Sequence, residues 1–375
     1  MGGDGGSAGT GVGAEPAAAV AGRTGSSGGL TGRPRRNGMP YDPRYAVPYT
    51  RIAGGHGSLT AMAFSPDPAG VLATAGQDGA VRLWEVARRA RQRAVFEHGP
   101  SDAVLAMAFS ADGGLLVTLA SDGRARVWGA RAGDCLRAWE CPDDDLRGED
   151  ASLNKCALAL SDDGALLATG YTYDFAVKIW GTATGRLVRT LEPDVLGLAK
   201  LAFVPRRPSM LAVLDEEQGI RIWEASAGYP TRPIGPLPGG PMTDSMRFSR
   251  DGRLVATAGH NVGIWDARTG HGLVGGETDD CGGTSAVAFS PDGSKVVTSG
   301  YSHPIGHVWD LSTLIRDNDF PRGPDDLDRM LPDSALVTTL DGVNDDVAFS
   351  PDGGLLAAIV GEDVALWHVG TDPHP

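Results

Sequence analysis

The sequence predicts an all-β fold, a seven-bladed β-propeller, and three observations lead to this prediction. The first is the stretch 59–85, in which three short apolar/polar strands are joined by a Ser-Pro-Asp turn and a Gln-Asp-Gly turn. The second is that this unit recurs seven times, with an apolar anchor before the first turn and a tryptophan closing the third strand. The apolar anchors are Phe64, Phe109, Leu160, Phe203, Phe248, Phe289 and Phe349, and the tryptophans are Trp84, Trp128, Trp180, Trp223, Trp265, Trp309 and Trp367. The third is the period, since neighbouring tryptophans are 42 to 44 residues apart except for two intervals of 52 and 58 residues.

Residues 47–369 form the predicted propeller, and its ring closes by an exchange between the two ends of the chain. In complete copies one further strand follows the tryptophan, as at 136–140 or 187–192. Too few residues follow Trp367 for a turn and an outer strand, whereas the first copy is preceded by a spare strand at 47–53. We therefore expect 47–53 to be the outer strand of the last blade, which removes an open sheet edge.

The segments outside the ring are predicted to lack regular structure. Residues 1–46 are rich in Gly, Ala and Ser and hold too little apolar surface to offset the entropy of ordering, so we expect a disordered arm. Its arginine cluster, Arg33, Arg35 and Arg36, leaves a docking arm as the alternative. Residues 370–375 are a short tail.

Charge and composition limit the classes of partner and the cellular compartment that we expect for this protein. The net charge is −14 and the arm is slightly basic, so the propeller is more acidic than the whole chain and repels phosphate backbones, which argues against nucleic acid. The four cysteines form no Cys-x-x-Cys pair, which favours free thiols in a reducing compartment over disulfides or zinc.

With no signal-peptide pattern and no long apolar run, we expect a cytoplasmic, monomeric protein away from membranes. Arginine greatly outnumbers lysine, a bias that suggests a GC-rich bacterial genome.

Polar residues recur at matched positions in the first two copies. These are His56, Thr74, Asp78 and Trp84 in the first and His98, Thr118, Asp122 and Trp128 in the second. In these marks the chain resembles the WD40-repeat family, and the resemblance extends over 47–369. It implies that each set of four hydrogen-bonds into a structural tetrad. Later copies depart from the pattern: the third lacks the His, Glu217 replaces the Asp in the fourth, and His303 replaces it in the sixth.

The first turn of most copies follows a Ser-Pro-Asp-Gly pattern, as at 290–293 and 350–353. Pro fixes φ, Asp caps the turn with its side chain, and Gly accepts the left-handed conformation. The fourth copy instead reads Val204-Pro205-Arg206-Arg207, which predicts a looser blade. Two insertions, 141–152 and 316–334, break the period and are candidate functional loops or tolerated solvated ones.

The resemblance implies a function in protein binding, located on the turns between second and third strands. The predicted partner-binding rim is Gln77, Ser121, Tyr171, Tyr173, Asp215, Glu216, Tyr301 and Glu362, with His260 beside it. Tyrosines interspersed with acids suggest a protein or peptide partner that is cationic and has an apolar anchor. The alternative for the tyrosines is packing on neighbouring loops.

We expect a non-catalytic scaffold without cofactor or metal, because the sequence shows no converging acid, base and nucleophile. Two competing functions stay open. One is an enzyme on a propeller scaffold, a hydrolase or lyase with its site at the central channel, where His260, His303 and His307 could converge. The other is a stand-alone sensor module related to WD40 domains fused to signalling or ATPase domains.

Overall fold

A computed structural model provides the structure of the chain. It describes residues 48, 50–53, 55–67, 70–86, 89–99, 102–141, 156–171, 176–192, 198–215, 219–225, 229–234 (backbone), 243, 245–278, 283–300, 304–317, 330–343 and 345–369. The predicted arm, the tail and most of both insertions lie outside the described residues.

Blades one to four are four-stranded antiparallel sheets whose strands follow chain order across the sheet. Blade one contains β2 (Leu59–Phe64), β3 (Val71–Gly76), β4 (Ala80–Glu85) and β5 (Arg91–Glu97). Blade two contains β6 (Val104–Phe109), β7 (Leu115–Ala120), β8 (Arg124–Gly129) and β9 (Cys135–Glu140). Blade three contains β10 (Cys156–Leu160), β11 (Leu166–Tyr171), β12 (Val177–Gly181) and β13 (Arg186–Leu191). Blade four contains β14 (Leu198–Val204), β15 (Arg207–Asp215), β16 (Gly219–Glu224) and β17 (Tyr229–Ile234).

Blades five and six repeat this order, and blade seven takes its outer strand from the other end of the chain. Blade five contains β18 (Ser245–Phe248), β19 (Leu254–Ala258), β20 (Val262–Asp266) and β21 (Gly272–Gly276). Blade six contains β22 (Thr284–Phe289), β23 (Lys295–Gly300), β24 (Ile305–Asp310) and β25 (Leu336–Asp341), with helix α1 (Leu311–Asp317) and a 3-10 turn (Asp333–Ala335) between its last two strands. Blade seven contains β26 (Val347–Phe349), β27 (Leu355–Val360), β28 (Asp363–His368) and β1 (Thr50–Ala53).

The seven sheets form a closed ring, which confirms the predicted fold. The first strands contact one another in the order β2, β6, β10, β14, β18, β22 and β26, and β26 contacts β2 again. The seam lies in blade seven, where β1 pairs antiparallel with β28, from Thr50 opposite Leu366 to Ala53 opposite Asp363. Ile52 is buried there, in a cluster shared by blades seven and one. The circle of first strands surrounds a central channel.

The anchor tryptophans join neighbouring blades. Trp128 lies in one buried cluster with Leu83 of blade one and stacks on Phe96 at a ring-centroid distance of 5.2 Å. Trp223 likewise clusters with Ile179 of blade three. A buried tryptophan removes about 150–250 Å² from water, an upper estimate of roughly 4–6 kcal/mol. Packing between blades is therefore the main stabilising interaction of the ring.

The blades have two faces, defined by their turns. The 1–2 face carries the turns between first and second strands, and the 2–3 face carries those between second and third strands. On the 1–2 face the Ser-x-Asp turns are held by their own side chains; Ser290 Oγ donates to Asp292 Oδ1 at 2.6 Å. This hydrogen bond lowers the pKa of Asp292 to about 2.

The turn of blade four differs from the prediction of a looser blade. Val204 pairs directly with Arg207, so only Pro205 and Arg206 separate β14 from β15. The turn is tighter than a Ser-Pro-Asp-Gly turn, because Pro205 presets φ and Arg206 adopts a φ of 63°. Among the described residues, no helix has the length and apolar character needed to cross a membrane.

Candidate functional site

The four side chains predicted as the tetrad of blade one lie together at its 2–3 face. His56 Nδ1 is 2.9 Å from Asp78 Oδ1, and His56 Nε2 is 2.9 Å from Thr74 Oγ1. Trp84 Nε1 donates to the same threonine oxygen at 2.9 Å. Arg82 completes the group, since its Nη1 lies 2.6 Å from both Asp78 Oδ2 and His56 Nδ1. The hydrogen bonds from His56 through Thr74 to Trp84 therefore connect the segment before the first strand with the second and third strands.

Blade two repeats the arginine bridge, but no direct contact joins its His98 and Asp122 in the described structure. Arg126 Nη1 donates to His98 Nδ1 at 2.8 Å and its Nη2 donates to Asp122 Oδ2 at 2.5 Å, so an arginine stands between His and Asp. Because Nδ1 accepts, the ring proton is on Nε2, which donates to Thr118 Oγ1 at 2.8 Å. Trp128 Nε1 also donates to Thr118 Oγ1, at 2.9 Å. The sequence prediction missed the bridging arginine, which stands two residues before the tryptophan in blades one and two.

Burial and charge keep both histidines neutral. Burial and the nearby Arg126 guanidinium lower the pKa of His98 from 6.5 to about 4, although Asp122 opposes the shift. Burial also lowers the pKa of His56, against the hydrogen bond to Asp78, which raises it. For Asp78, burial alone would raise the pKa, but hydrogen bonds from His56 and Arg82 bring it below the ordinary value. These groups therefore serve as fixed structural hydrogen-bonding groups at neutral pH.

The tryptophan–threonine hydrogen bond recurs in three further blades and is missing in two. Trp180 donates to Thr169 at 2.9 Å, Trp309 to Thr298 at 3.2 Å and Trp265 to Thr257 at 3.4 Å. In blades four and seven the strand register places Val213 and Ala358 where the threonine stands elsewhere. Within the described part of the chain, the indole nitrogens of Trp223 and Trp367 consequently have no hydrogen-bond partner.

The structure separates the predicted rim residues into three groups. Gln77 and Glu362 are exposed on the 2–3 face and Ser121 is half-buried there. Tyr173, Glu216 and Tyr301 lie outside the described residues. Tyr171 and Asp215 do not belong to an exposed rim, because each is the last residue of its second strand and not part of the turn.

The predictions for Tyr171 and Asp215 as surface contacts are therefore wrong. Tyr171 is 2% exposed and packs in the core cluster between blades two and three, neither on an exposed rim nor on neighbouring loops. Asp215 is 1% exposed and its Oδ2 accepts from Arg221 Nη2 at 3.4 Å. Both second strands are buried continuously up to their last residue, so extending each predicted strand by one residue would have predicted both side chains as buried.

The histidines considered for a channel metal site do not converge in the described structure. His260 is exposed and its Nε2 is 3.5 Å from Glu277 Oε1, whereas His307 is buried against Trp309 at a ring-centroid distance of 5.6 Å. His303 lies outside the described residues. The described residues contain no group of three or more His, Cys, Asp or Glu side chains placed to hold a metal ion.

The channel itself carries an ion pair that the sequence analysis missed. Six copies have Ala immediately before the apolar anchor, but blade five has Arg247. Arg247 Nη2 is 3.3 Å from Asp346 Oδ1 of blade seven. Both residues line a cavity of about 260 Å³ between the first strands of blades one, five, six and seven.

The geometry defines a closed β-propeller in which five of the seven blades carry a tryptophan–threonine hydrogen bond. A model of the WD40 family, described as "WD domain, G-beta repeat", matches residues 48–85, 91–129 and 143–181. The match shows WD40 repeats in the first three blades, and the same four-stranded unit recurs around the seven-bladed ring.

Sequence relatives agree with this assignment. The chain is 24% identical to Periodic tryptophan protein 2 homolog of Dictyostelium discoideum over 66% of its own length and 28% of that protein. It is 28% identical to Transducin beta-like protein 3 of Bos taurus over 56% of its own length and 26% of that protein. It is 30% identical to Polycomb protein EED of Chaetomium thermophilum over 24% of its own length and 17% of that protein. The chain spans less than a third of the length of these relatives.

Proposed function

We propose that the chain is a non-catalytic WD40 platform that binds a protein or peptide partner on its 2–3 face. The observation that carries the proposal is the closed ring of WD40 blades, in which the histidines of the first two blades have structural roles. His56 and His98 would be the obvious proton-transfer groups, yet both are committed to threonine, aspartate or arginine partners. A rigid ring with exposed turns is suited to holding partners on its surface.

The contact surface we infer is the exposed part of the 2–3 rim. Gln77 and Glu362 project from the turns of blades one and seven, which are adjacent across the seam. Tyr173, Glu216 and Tyr301 occupy the corresponding turns of blades three, four and six in the sequence. Acidic and aromatic residues on a chain with a net charge of −14 favour a cationic partner with an apolar anchor.

We further propose that the protein acts in the cytoplasm, on the basis of its free thiols. Cys135, Cys141 and Cys156 are free. Burial raises the pKa of the Cys141 thiol to about 12, which keeps it protonated and unreactive. Free thiols suit a reducing compartment.

Affinity capture from a lysate of the source organism tests the proposal. The bait variants are wild type, Gln77→Ala/Glu362→Lys, and the control Glu85→Lys. Glu85 is exposed at the end of β4 on the opposite face, so its reversal matches the charge change without touching the rim.

We expect a specific protein to be retained by wild type and by Glu85→Lys and to be lost by the rim variant at an unchanged melting temperature. Equal retention by all three baits would move the site away from these turns. Absence of any protein above an empty resin would contradict the scaffold function itself.

A further inference from the structure

The 1–2 face, opposite the proposed rim, contains a second cavity at the mouth of the central channel. It has a volume of about 500 Å³ and collects residues from all seven blades. Its wall is formed by six of the apolar anchors, here named the apolar collar: Phe64, Phe109, Leu160, Phe248, Phe289 and Phe349. Phe64, Phe109 and Phe248 are only half-buried, so their rings are partly accessible from the cavity side of the ring. A partly exposed aromatic wall in a concave site is typical of binding sites for apolar side chains.

Two arginines stand at the rim of this cavity. Arg206 and Arg250 are exposed and line the same opening as the apolar collar. The Arg250 guanidinium donates to the Pro351 carbonyl oxygen at 3.4 Å, and the Arg206 backbone N–H donates to Asp162 Oδ2 at 2.5 Å. Within the described part of the chain, no carboxylate is hydrogen-bonded to either guanidinium group. Both groups are therefore available to a carboxylate from outside.

The backbone at Arg206 is held in an unfavourable conformation. Arg206 is the sole non-glycine residue with positive φ among the described residues, at 63°. In the same turn of the other six blades a glycine takes this conformation, with φ between 65° and 74°. Glycine would accept it without steric strain, whereas an arginine does not. Strain of this kind concentrates at functional sites, and here it positions a cation at the mouth of the channel.

The acidic residues nearby are largely occupied by their own turns. A neighbouring cavity of about 580 Å³ shares Arg206 and Arg250 and also contains Asp251, Asp292 and Asp310. Asp251 Oδ1 accepts from Ser249 Oγ at 2.7 Å and Asp310 Oδ1 accepts from Ser312 Oγ at 2.7 Å. Deeper in the channel, Asp346 is paired with Arg247. Asp162 lines the collar cavity itself and accepts from the Arg206 backbone N–H, and the two rim arginines supply the positive charge there.

We propose that the apolar collar and these two arginines form a second binding site, for an acidic peptide segment of a partner protein. An aromatic or aliphatic side chain of the peptide enters the collar, and a neighbouring Asp or Glu carboxylate accepts hydrogen bonds from Arg206 and Arg250. Arginine suits this role because its planar guanidinium group binds a carboxylate through two parallel hydrogen bonds. The site has the opposite charge preference to the proposed rim, so the ring could hold two different partners on its two faces.

The test is a selection from a random dodecapeptide display library against the immobilised full chain. Each round is counter-selected against the double variant Arg206→Gly/Arg250→Ser. We expect the enriched peptides to carry Asp or Glu within a few residues of Phe, Leu, Trp or Met. Failure to enrich any sequence over the double variant would overturn the proposal, as would enrichment of basic peptides or of apolar peptides lacking an acid.

Fluorescence polarisation with one enriched, labelled peptide then tests the residues. Loss of two charge-assisted hydrogen-bonding groups should weaken binding by at least about tenfold in the double variant. The control Arg124→Ser removes an exposed arginine from the 2–3 face and should bind as wild type does. Arg206→Gly should at the same time raise the melting temperature by relieving the strained turn, so weaker binding is not a folding defect. Equal affinity of the double variant and wild type would contradict the site.

Discussion

Blades one and two differ from blades four and seven in whether the indole N–H of the anchor tryptophan has a hydrogen-bond acceptor. Trp128 is 5% exposed and donates its indole hydrogen to Thr118, whereas Trp223 is 6% exposed and Trp367 is 2% exposed without an acceptor among the described residues. Their burial is thus equivalent, whereas the residue at the threonine position is Val213 in blade four and Ala358 in blade seven. The comparison separates the packing of a blade from its hydrogen bonding.

The comparison indicates that packing maintains the ring and that the tetrad adds a smaller, separable increment. A typical internal hydrogen bond contributes about 1 kcal/mol, and a buried donor without a partner costs roughly 1–3 kcal/mol. Both are smaller than the upper estimate of roughly 4–6 kcal/mol from burying a tryptophan. A blade can therefore lose its polar motif and keep its fold, which explains why the later repeats remain blades.

The largest effect should come from removing the outer strand of blade seven, the blade that already lacks the tryptophan hydrogen bond. Deleting residues 1–53 removes β1 together with its buried Ile52, and it exposes the edge of β28. We expect a loss on the order of 3–5 kcal/mol from the missing burial and ladder hydrogen bonds, with aggregation. Deleting residues 1–40 should leave the melting temperature unchanged. Equal melting temperatures for the two truncations would refute closure through β1.

A smaller difference should separate two matched tryptophan substitutions. Trp128→Phe loses ring surface and also the hydrogen bond to Thr118, leaving the threonine hydroxyl with one partner fewer. Trp367→Phe loses similar surface but removes an indole N–H that has no acceptor in the described structure. Trp128→Phe should therefore be less stable than Trp367→Phe by about 1–3 kcal/mol in urea denaturation. Equal losses would mean that the hydrogen bond contributes nothing measurable.

The histidine of blade two should contribute a similar amount. His98→Ala removes hydrogen bonds to Thr118 and Arg126 and a ring contact to Trp128 at 5.5 Å. We expect a loss of about 1–3 kcal/mol at pH 7, measured as a shift of the urea midpoint. An unchanged midpoint would show that His98 is an exposed loop residue in solution.

The same residue should give the protein a defined pH dependence. The pKa of His98 is about 4 in the folded protein against an ordinary value of 6.5, so protonation below pH 6.5 favours the unfolded chain. Its contribution is complete above pH 6.5, declines as the pH falls towards 4 and changes no further below that. His98→Ala should flatten the stability curve in this window, although His56 retains a slope of the same sign. An identical slope in wild type and variant would exclude His98 as its source.

The ring and its closure follow from features that the sequence displays directly. The repeated anchors specify seven blades because each tryptophan must be buried against a neighbour, and counting strands leaves 47–53 as the partner of the last blade. The tetrads of blades one and two also follow, since Thr, Asp and Trp stand at fixed offsets and a His precedes each first strand. These properties depend on the spacing of residues along the chain, which can be read directly from the sequence.

The remainder depends on side-chain direction and single-residue exceptions, which spacing does not reveal. Tyr171 and Asp215 end their strands one residue before the turn, so their side chains point into the protein and not to the rim. The Arg126 bridge requires a length and fork geometry that no motif specifies. Arg206 appeared as a departure from a turn pattern, but its strained φ is visible only in three dimensions.

A reciprocal exchange of the contact itself tests the separation of packing and hydrogen bonding most directly. Thr118→Val and Val213→Thr move the acceptor from a blade that has it to one that does not, and urea denaturation of both measures the consequence. We predict that Thr118→Val loses about 1–3 kcal/mol and that Val213→Thr gains up to about 1 kcal/mol, because the new hydroxyl accepts from Trp223. Destabilisation by Val213→Thr would contradict the account, since a buried hydroxyl lowers stability unless the waiting indole N–H binds it.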